Sequence, residues 1–425
     1  MYVRVVSSLT LLIRPDVDVS SMSKGELVDL ITAHETAKSA AAAVQARAAV
    51  ELLRLETAEY PGRASALVQR SVGTQIALAR KDSPLRGRRH LSLAKALCTD
   101  LPHTMGALER GELSEFRAHL IARETNHLTS DDRRTVDHEL AGGLMGAGDS
   151  KVADLARAAA QRADSAAAER RAQKARNNRW VGAWAKPDAM MMVKALLPFE
   201  HGLAVHRALR AHAEQARRDG DKRPIGQVMA DEFVQRLLGK SVDHLINIEI
   251  GLVMNERTLL RNDNEAAYVP GFGHIPAGIA RKLLADADKA WIRRLFVEPT
   301  SGELVNIESK RRLFSGKLRQ LVLTRDRTCR TPYCNNQIRH IDHTTSWSKH
   351  RETQASGGQG LCEYGNYVKE NPGWSCDVIH IGVARRTRFT TPTGHHYDSP
   401  PPAQPGSGRA TIEIELKRGL RDRRA

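Results

Sequence analysis

The chain has 425 residues, enough for two or three domains and a sizeable core. Its 65 Lys and Arg against 49 Asp and Glu give a net charge of +16, which favours a polyanionic partner, nucleic acid first. Aromatic residues make up only 4%, which argues against a reader of single strands built on stacked bases, and no run approaches the length of a transmembrane helix.

Residues 1–20 read as an N-terminal extension. They lack a signal-peptide core or a small-residue cleavage pattern, so a cytoplasmic protein is expected. A helical domain follows over 21–180. Ser23 and Glu26 have capping-box spacing and start a long helix whose apolar face runs from Leu27 to Leu55. Breaks are expected at Pro61-Gly62, Ser83-Pro84, Leu101-Pro102 and Gly142-Gly143. Leu113 to Leu128 is amphipathic, Cys98 reads as a structural residue on a Leu-rich helix, and 151–176 reads as one long helix.

A mixed α+β segment occupies 181–318. Trp180 to Pro198 reads as a short hairpin with Met190-Met191-Met192 in strand core. Helices follow over Glu200–Arg218 and Gly226–Leu238. Leu245 to Met254 alternates as a strand, Gly271-Phe272-Gly273 forms a turn, and Pro276 opens another helix that ends near Asp288. A compact module is expected at 319–375, then a short β extension at 376–398. Pro, Gly and Ser beyond Ser399 suggest a flexible tail over 399–425. The fold class is therefore α+β.

Four of the five cysteines fall in the last hundred residues. Such a clustered, odd set suits a local metal site better than a disulfide framework. Cys329 and Cys334 form a C-x4-C knuckle, and Cys362 lies 28 residues further on. Thiolates at this spacing can converge on one structural Zn²⁺. The bland alternative is three buried thiols packing as small apolar groups. Between them stands Asp342-His343. A carboxylate can hold a divalent metal while an imidazole takes a proton from water. Outside this context the pair would read as a surface ion pair. Asn366 and Lys369 follow on a short helix, and Asn366 is a candidate second oxygen ligand. Lys310 to Arg339 holds nine Lys or Arg and one acid. Arg325, Arg327, Arg330, Arg339 and Lys369 are the candidate contacts to DNA phosphates.

On these motifs the chain resembles the actinobacterial HNH-endonuclease-signature proteins of the 13E12 repeat group. These join a helical domain of unknown function to a C-terminal HNH module. The marks are Leu101-Pro102, Ala107 to Ser114, Gly226-Gln227, Ala230-Asp231 and Gly271 to Pro276. The more specific ones are Arg325-Asp326, Cys329, Cys334, Asp342-His343, Gly360 to Glu363, Asn366, Lys369 and Pro372-Gly373-Trp374. The resemblance implies a ββα-metal fold that hydrolyses phosphodiester bonds in DNA. His343 would be the general base, and Asp342 with Asn366 would hold a catalytic Mg²⁺ or Mn²⁺. Restriction, mobile-element movement and repair all fit such an activity.

The chain departs from that pattern in three places. Gly357 stands where the family carries a central Asn, which implies a looser loop behind His343. Gly365 stands where a fourth zinc ligand is usual, leaving His350 and Cys376 as candidates. His350-Arg351 replaces a Gly-Gly pair. Two alternative readings follow: a non-catalytic DNA-binding protein with a decayed module, and a helical interaction scaffold.

Overall fold

Ser23 opens the first helix as its spacing predicts: its hydroxyl accepts from the Glu26 backbone N–H and the Glu26 carboxylate accepts from the Ser23 N–H. The computed structural model describes residues 18–144, 146–239, 248–261, 263–285, 289–295, 308–309, 314, 316–345, 353–381, 384–404 and 411–418. Most of the N-terminal extension, Lys310 to Arg312 and His350-Arg351 lie outside the described residues. The chain is α+β and divides into two compact units, residues 1–72 with 89–170, and residues 73–88 with 171–425. No described helix is long and apolar enough to cross a membrane.

The first unit is helical. Helix α1 (Lys24–Glu59) buries a stripe of small residues, Ala42, Ala43, Ala46 and Ala49. Helices α2 (Ser65–Ala79) and α3 (Pro84–Thr99) form a hairpin whose tip, 73–88, belongs to the second unit. Then come α4 (Pro102–Glu109), α5 (Glu115–Glu124), α6 (Ser130–Leu140) and α7 (Asp149–Ala163). Leu97, Leu101, Leu108, Ile121, Val136 and Val152 fill the core. Asp137 of α6 accepts from the backbone N–H groups of His103 and Thr104, stopping the exposed first turn of α4. Gly111 has φ 73, and a Cβ there would lie 2.4 Å from Thr36 Cγ2, so the α4–α5 turn needs glycine. Cys98 sits on the exposed face of α3.

The long helix expected over 151–176 is instead two. Between α7 and α8 (Ser165–Asn177), Asp164 adopts an extended conformation at φ −148, ψ 92. Asp and Ser side chains compete for backbone hydrogen bonds, which favours a break there over a continuous helix.

In the second unit, strands β1 (Trp180–Lys186) and β2 (Met190–Leu196) pair antiparallel as a hairpin. Trp180 and Trp184 meet edge to face at 5.5 Å across Gly182. Met190, Met191 and Met192 are exposed at 66%, 47% and 46%, so they are not strand core. A two-stranded ribbon has no second layer of its own, and no described element covers this one. Helices α9 (Phe199–Arg218) and α10 (Ile225–Leu238) pack together.

Next come β3 (Ile248–Asn255), α11 (Glu256–Leu260), β4 (Ala267–Val269), β5 (Gly273–Ile275), α12 (Ala277–Ala285) and β6 (Lys289–Leu295). Leu252, Met254, Ala267 and Ala280 form their core. The final strand, β14 (Thr411–Arg418), contradicts the expected flexible tail. It lies inside a five-stranded sheet ordered β5-β4-β3-β14-β6, antiparallel to both β3 and β6. Its alternation of Ile412, Ile414 and Leu416 with polar residues suits a strand. The Pro- and Gly-rich stretch before it hid that pattern.

The remaining elements carry the cysteines and the Asp-His pair. They are β7 (Glu308–Ser309), α13 (Gly316–Asp326), β8 (His340–His343), β9 (Thr353–Gln354), β10 (Gly358–Leu361) and α14 (Glu363–Lys369). The expected β extension is a three-stranded antiparallel sheet, β11 (Ser375–Ile381), β12 (Ala384–Thr390) and β13 (His396–Ser399). The α2–α3 tip rests on this region: Leu78 packs with Val368 and Trp374, and Thr393 donates to Gln75 Oε1 at 3.1 Å.

Candidate active site

Strand β8 presents Asp342 and His343 against β10, with His343 opposite Gly358 and Asp342 opposite Gln359. Glycine at 358 leaves room for the Phe314 ring, which packs 4.8 Å from the His343 ring; a Cβ at 358 would meet Phe314 Cε1 at 2.5 Å. His343 is buried, and its Nε2 is 3.0 Å from Thr353 Oγ1 on β9. Thr353 had no signal in the sequence, because the tie reaches across ten residues into another strand.

The loop behind His343 is held despite the lack of an asparagine at 357. The Gly357 carbonyl accepts from Thr344 N at 2.8 Å and from Thr344 Oγ1 at 3.0 Å. Arg385 adds hydrogen bonds to the Ser356 and Gly358 carbonyls at 2.9 and 3.1 Å. Backbone acceptors and threonine hydroxyls do here what an amide side chain was expected to do.

Helix α14 returns over the pair. Lys369 Nζ forms an ion pair with Asp342 and donates to the His343 carbonyl at 2.5 Å. Its side chain is only 8% exposed, so in this structure it faces the Asp-His pair rather than solvent. Asn366 lies one turn earlier on the same face. Its Oδ1 is buried with no hydrogen-bond partner among the described residues. A buried amide oxygen left unpaired is costly unless something absent completes it.

Three of the other four proposed DNA contacts also turn inward. Arg325 is 3% exposed; it forks onto Asp326 at 2.7 and 3.1 Å and donates to the Ala355 and Gly358 carbonyls. Arg330 is buried and donates to the Ser399 carbonyl. Arg327 lies 4.0 Å over the Tyr268 ring and bonds Ala403 O and Gln404 Oε1. Only Arg339 of the five is exposed. Sequence gives the charge of a guanidinium but not its direction, and here loop carbonyls far along the chain claim it.

Asp326 is fully buried and also accepts from Gly360 N at 2.7 Å. Burial alone would raise its carboxyl. The charge and hydrogen bonds of Arg325, with Arg330 and Arg385 beyond, outweigh that and hold it below the ordinary carboxylate range.

The three predicted cysteines do converge. Their sulfurs all lie within 4.8 Å of one another, and Cys334 Sγ is 3.9 Å from Cys362 Sγ. Hydrogen bonds from Cys329 and Cys334, with the Gly365 N–H, pull Cys362 down to about 2, while Cys334 rises because it donates. Three sulfurs converging on one point are a soft donor set matched to zinc. Cys376 is not in the group: it bonds the Gln359 side chain at 3.3 Å, and burial pushes it up to about 12. None of the five cysteines is in a disulfide.

Over residues 33–326 the chain matches the family described as a domain of unknown function, DUF222. The chain belongs to that family. The match ends at Asp326, so the thiol group and the Asp-His pair lie beyond it. No curated protein and no solved structure gives a match.

Proposed function

We propose that the chain is a metal-dependent DNA endonuclease of the HNH type, with 319–375 as its catalytic module. The observation that carries this reading is the β8–β10–α14 arrangement. A strand pair presents Asp342 and His343, and a helix brings Asn366 and Lys369 back over them. The Asp342 carboxylate and the unpaired Asn366 Oδ1 are hard oxygen donors suited to Mg²⁺ or Mn²⁺. The metal supplies positive charge against the charge that grows on the phosphoryl group and the departing 3′ oxygen. His343 takes the proton of the attacking water, with its ring orientation fixed by the Nε2–Thr353 hydrogen bond. Lys369 fixes the Asp342 carboxylate and the His343 backbone together, so the donor and the base keep one spacing. Cys329, Cys334 and Cys362 would hold a zinc ion, which would tie the knuckle to the start of α14. Arg339 and the net charge draw in the phosphate backbone.

A second reading, a DNA-binding protein that no longer cleaves, has one observation in its favour: Lys369 already neutralises the carboxylate that would hold the metal. Supercoiled plasmid incubated with the full chain, with and without Mg²⁺ or Mn²⁺, separates the two. Nicking that needs metal and disappears in His343→Ala supports the nuclease. Salt-sensitive DNA binding without nicking in either protein supports the binder.

A further inference from the structure

The thiol trio offers three donors, and zinc in a closed site takes four. The structure places a hydroxyl, Thr331 Oγ1, beside the trio. A Cβ built on Gly365 would lie 3.2 Å from Cys329 Sγ and 3.6 Å from Cys362 Sγ, so position 365 faces into the group. That same Cβ would lie 2.4 Å from Thr331 Oγ1. Thr331 therefore fills the volume a side chain at 365 would enter. Its Oγ1 is 3.4 Å from Cys329 Sγ.

Two of these separations can be set against the edges of a tetrahedral zinc site. With Zn–S about 2.3 Å and Zn–O about 2.0 Å, its edges are about 3.8 Å between sulfurs and about 3.5 Å from sulfur to oxygen. The observed Cys334–Cys362 and Cys329–Thr331 spacings, 3.9 and 3.4 Å, differ from these by little. Thr331 is 2% exposed and the three cysteines are between 3% and 5%, so the protein screens the group from bulk water. The knuckle itself holds the residue: Cys334 N donates to the Thr331 carbonyl at 3.0 Å, and Tyr333 turns the chain at φ 62.

We propose that Thr331 Oγ1 is the fourth ligand of a Cys3Thr zinc site. The inference rests on the reading of the trio as a zinc site and adds the donor that completes it. A neutral hydroxyl in place of a fourth thiolate makes the centre less negative and easier to demetallate.

The test uses the full chain, its zinc content, competition against a chromophoric chelator, and the absorption spectrum of the Co²⁺-substituted protein. Wild type should hold one zinc and give intense tetrahedral cobalt bands. Thr331→Val keeps the shape and removes the donor. It should bind zinc about 10- to 100-fold more weakly and shift the visible cobalt bands, on the scale that outer partners alone already reach. Thr331→Ser should behave as wild type. The double variant T331A/G365C removes the side-chain atom that a Cβ at 365 would meet at 2.4 Å and supplies a thiolate. It should bind zinc more tightly than wild type and add thiolate-to-cobalt intensity, a readout that survives if Thr331→Val folds poorly. Unchanged affinity and cobalt bands in Thr331→Val, with zinc present, would overturn the Thr331 assignment alone. A wild-type chain that takes up neither zinc nor cobalt would overturn the site itself.

Discussion

Replacing Asp326 by Asn tests how the module is held together. The carboxylate is fully buried and accepts three hydrogen bonds, two from Arg325 at 2.7 and 3.1 Å and one from Gly360 N at 2.7 Å. Asparagine keeps the volume but points an NH2 group at donors and leaves the buried Arg325 guanidinium without its counter-charge. Breaking a buried pair from one side costs about 3–5 kcal/mol. Even the lower figure opens the local structure roughly a hundredfold more often. Hydrogen exchange read on peptides covering 355–361, beside urea unfolding, measures this directly. The effect has a pH signature. The Asp326 carboxyl lies below its unfolded value, so its stabilisation is complete above about pH 4 and fades as pH falls through the folded value. Wild type and variant should therefore differ by a constant amount between pH 6 and 8 and converge in acid. A loss below about 1 kcal/mol at pH 7 would refute the reasoning, since solvent or a shifted arginine would then be doing the work of the carboxylate.

Three further outcomes follow from the packing and the charges. Trp374→Ala should cost about 3–5 kcal/mol and raise exchange around Leu78 as well as in α14; an effect confined to α14 would mean that Trp374 does not hold the 73–88 tip. Gly360→Ala drives a methyl to 2.3 Å from Ile338 Cδ1 and should cost about 1–3 kcal/mol by urea unfolding, much of it recovered by adding Ile338→Ala. Arg339→Ala should lower the slope of log affinity for DNA against log salt by about 1 without changing the melting temperature, whereas Arg325→Ala should destabilise the protein.

The sequence was most legible where chemistry is local. The Ser23 and Glu26 spacing, the breaks at Ser83-Pro84 and Leu101-Pro102, and the alternation through Leu252 each act over a few residues. The convergence of Cys329, Cys334 and Cys362 was legible for a related reason: few spacings serve a metal. What escaped depends on partners distant in the chain. Arg325 and Lys369 read as cations for DNA, yet Gly358 and Asp342, more than 25 residues away, claim them. Thr353 and Thr331 carry no signal, since threonine is common and only the fold puts their hydroxyls beside His343 and Cys329. Met190 to Met192 read as core because hydropathy cannot say whether a second layer exists.

Strand β14 carries a consequence for how the protein is made. It sits between β3 and β6, yet it leaves the ribosome 116 residues after β6 ends, the difference between positions 411 and 295. At roughly 5–20 residues per second that interval is on the order of ten seconds. During it, two strand edges wait unpaired while everything from β7 to β13 is synthesised between them. Such edges invite pairing with a neighbouring nascent chain. A chain shortened before Thr411 would keep that hazard permanently, so its solubility would suffer well before its cysteines or its Asp-His pair were touched.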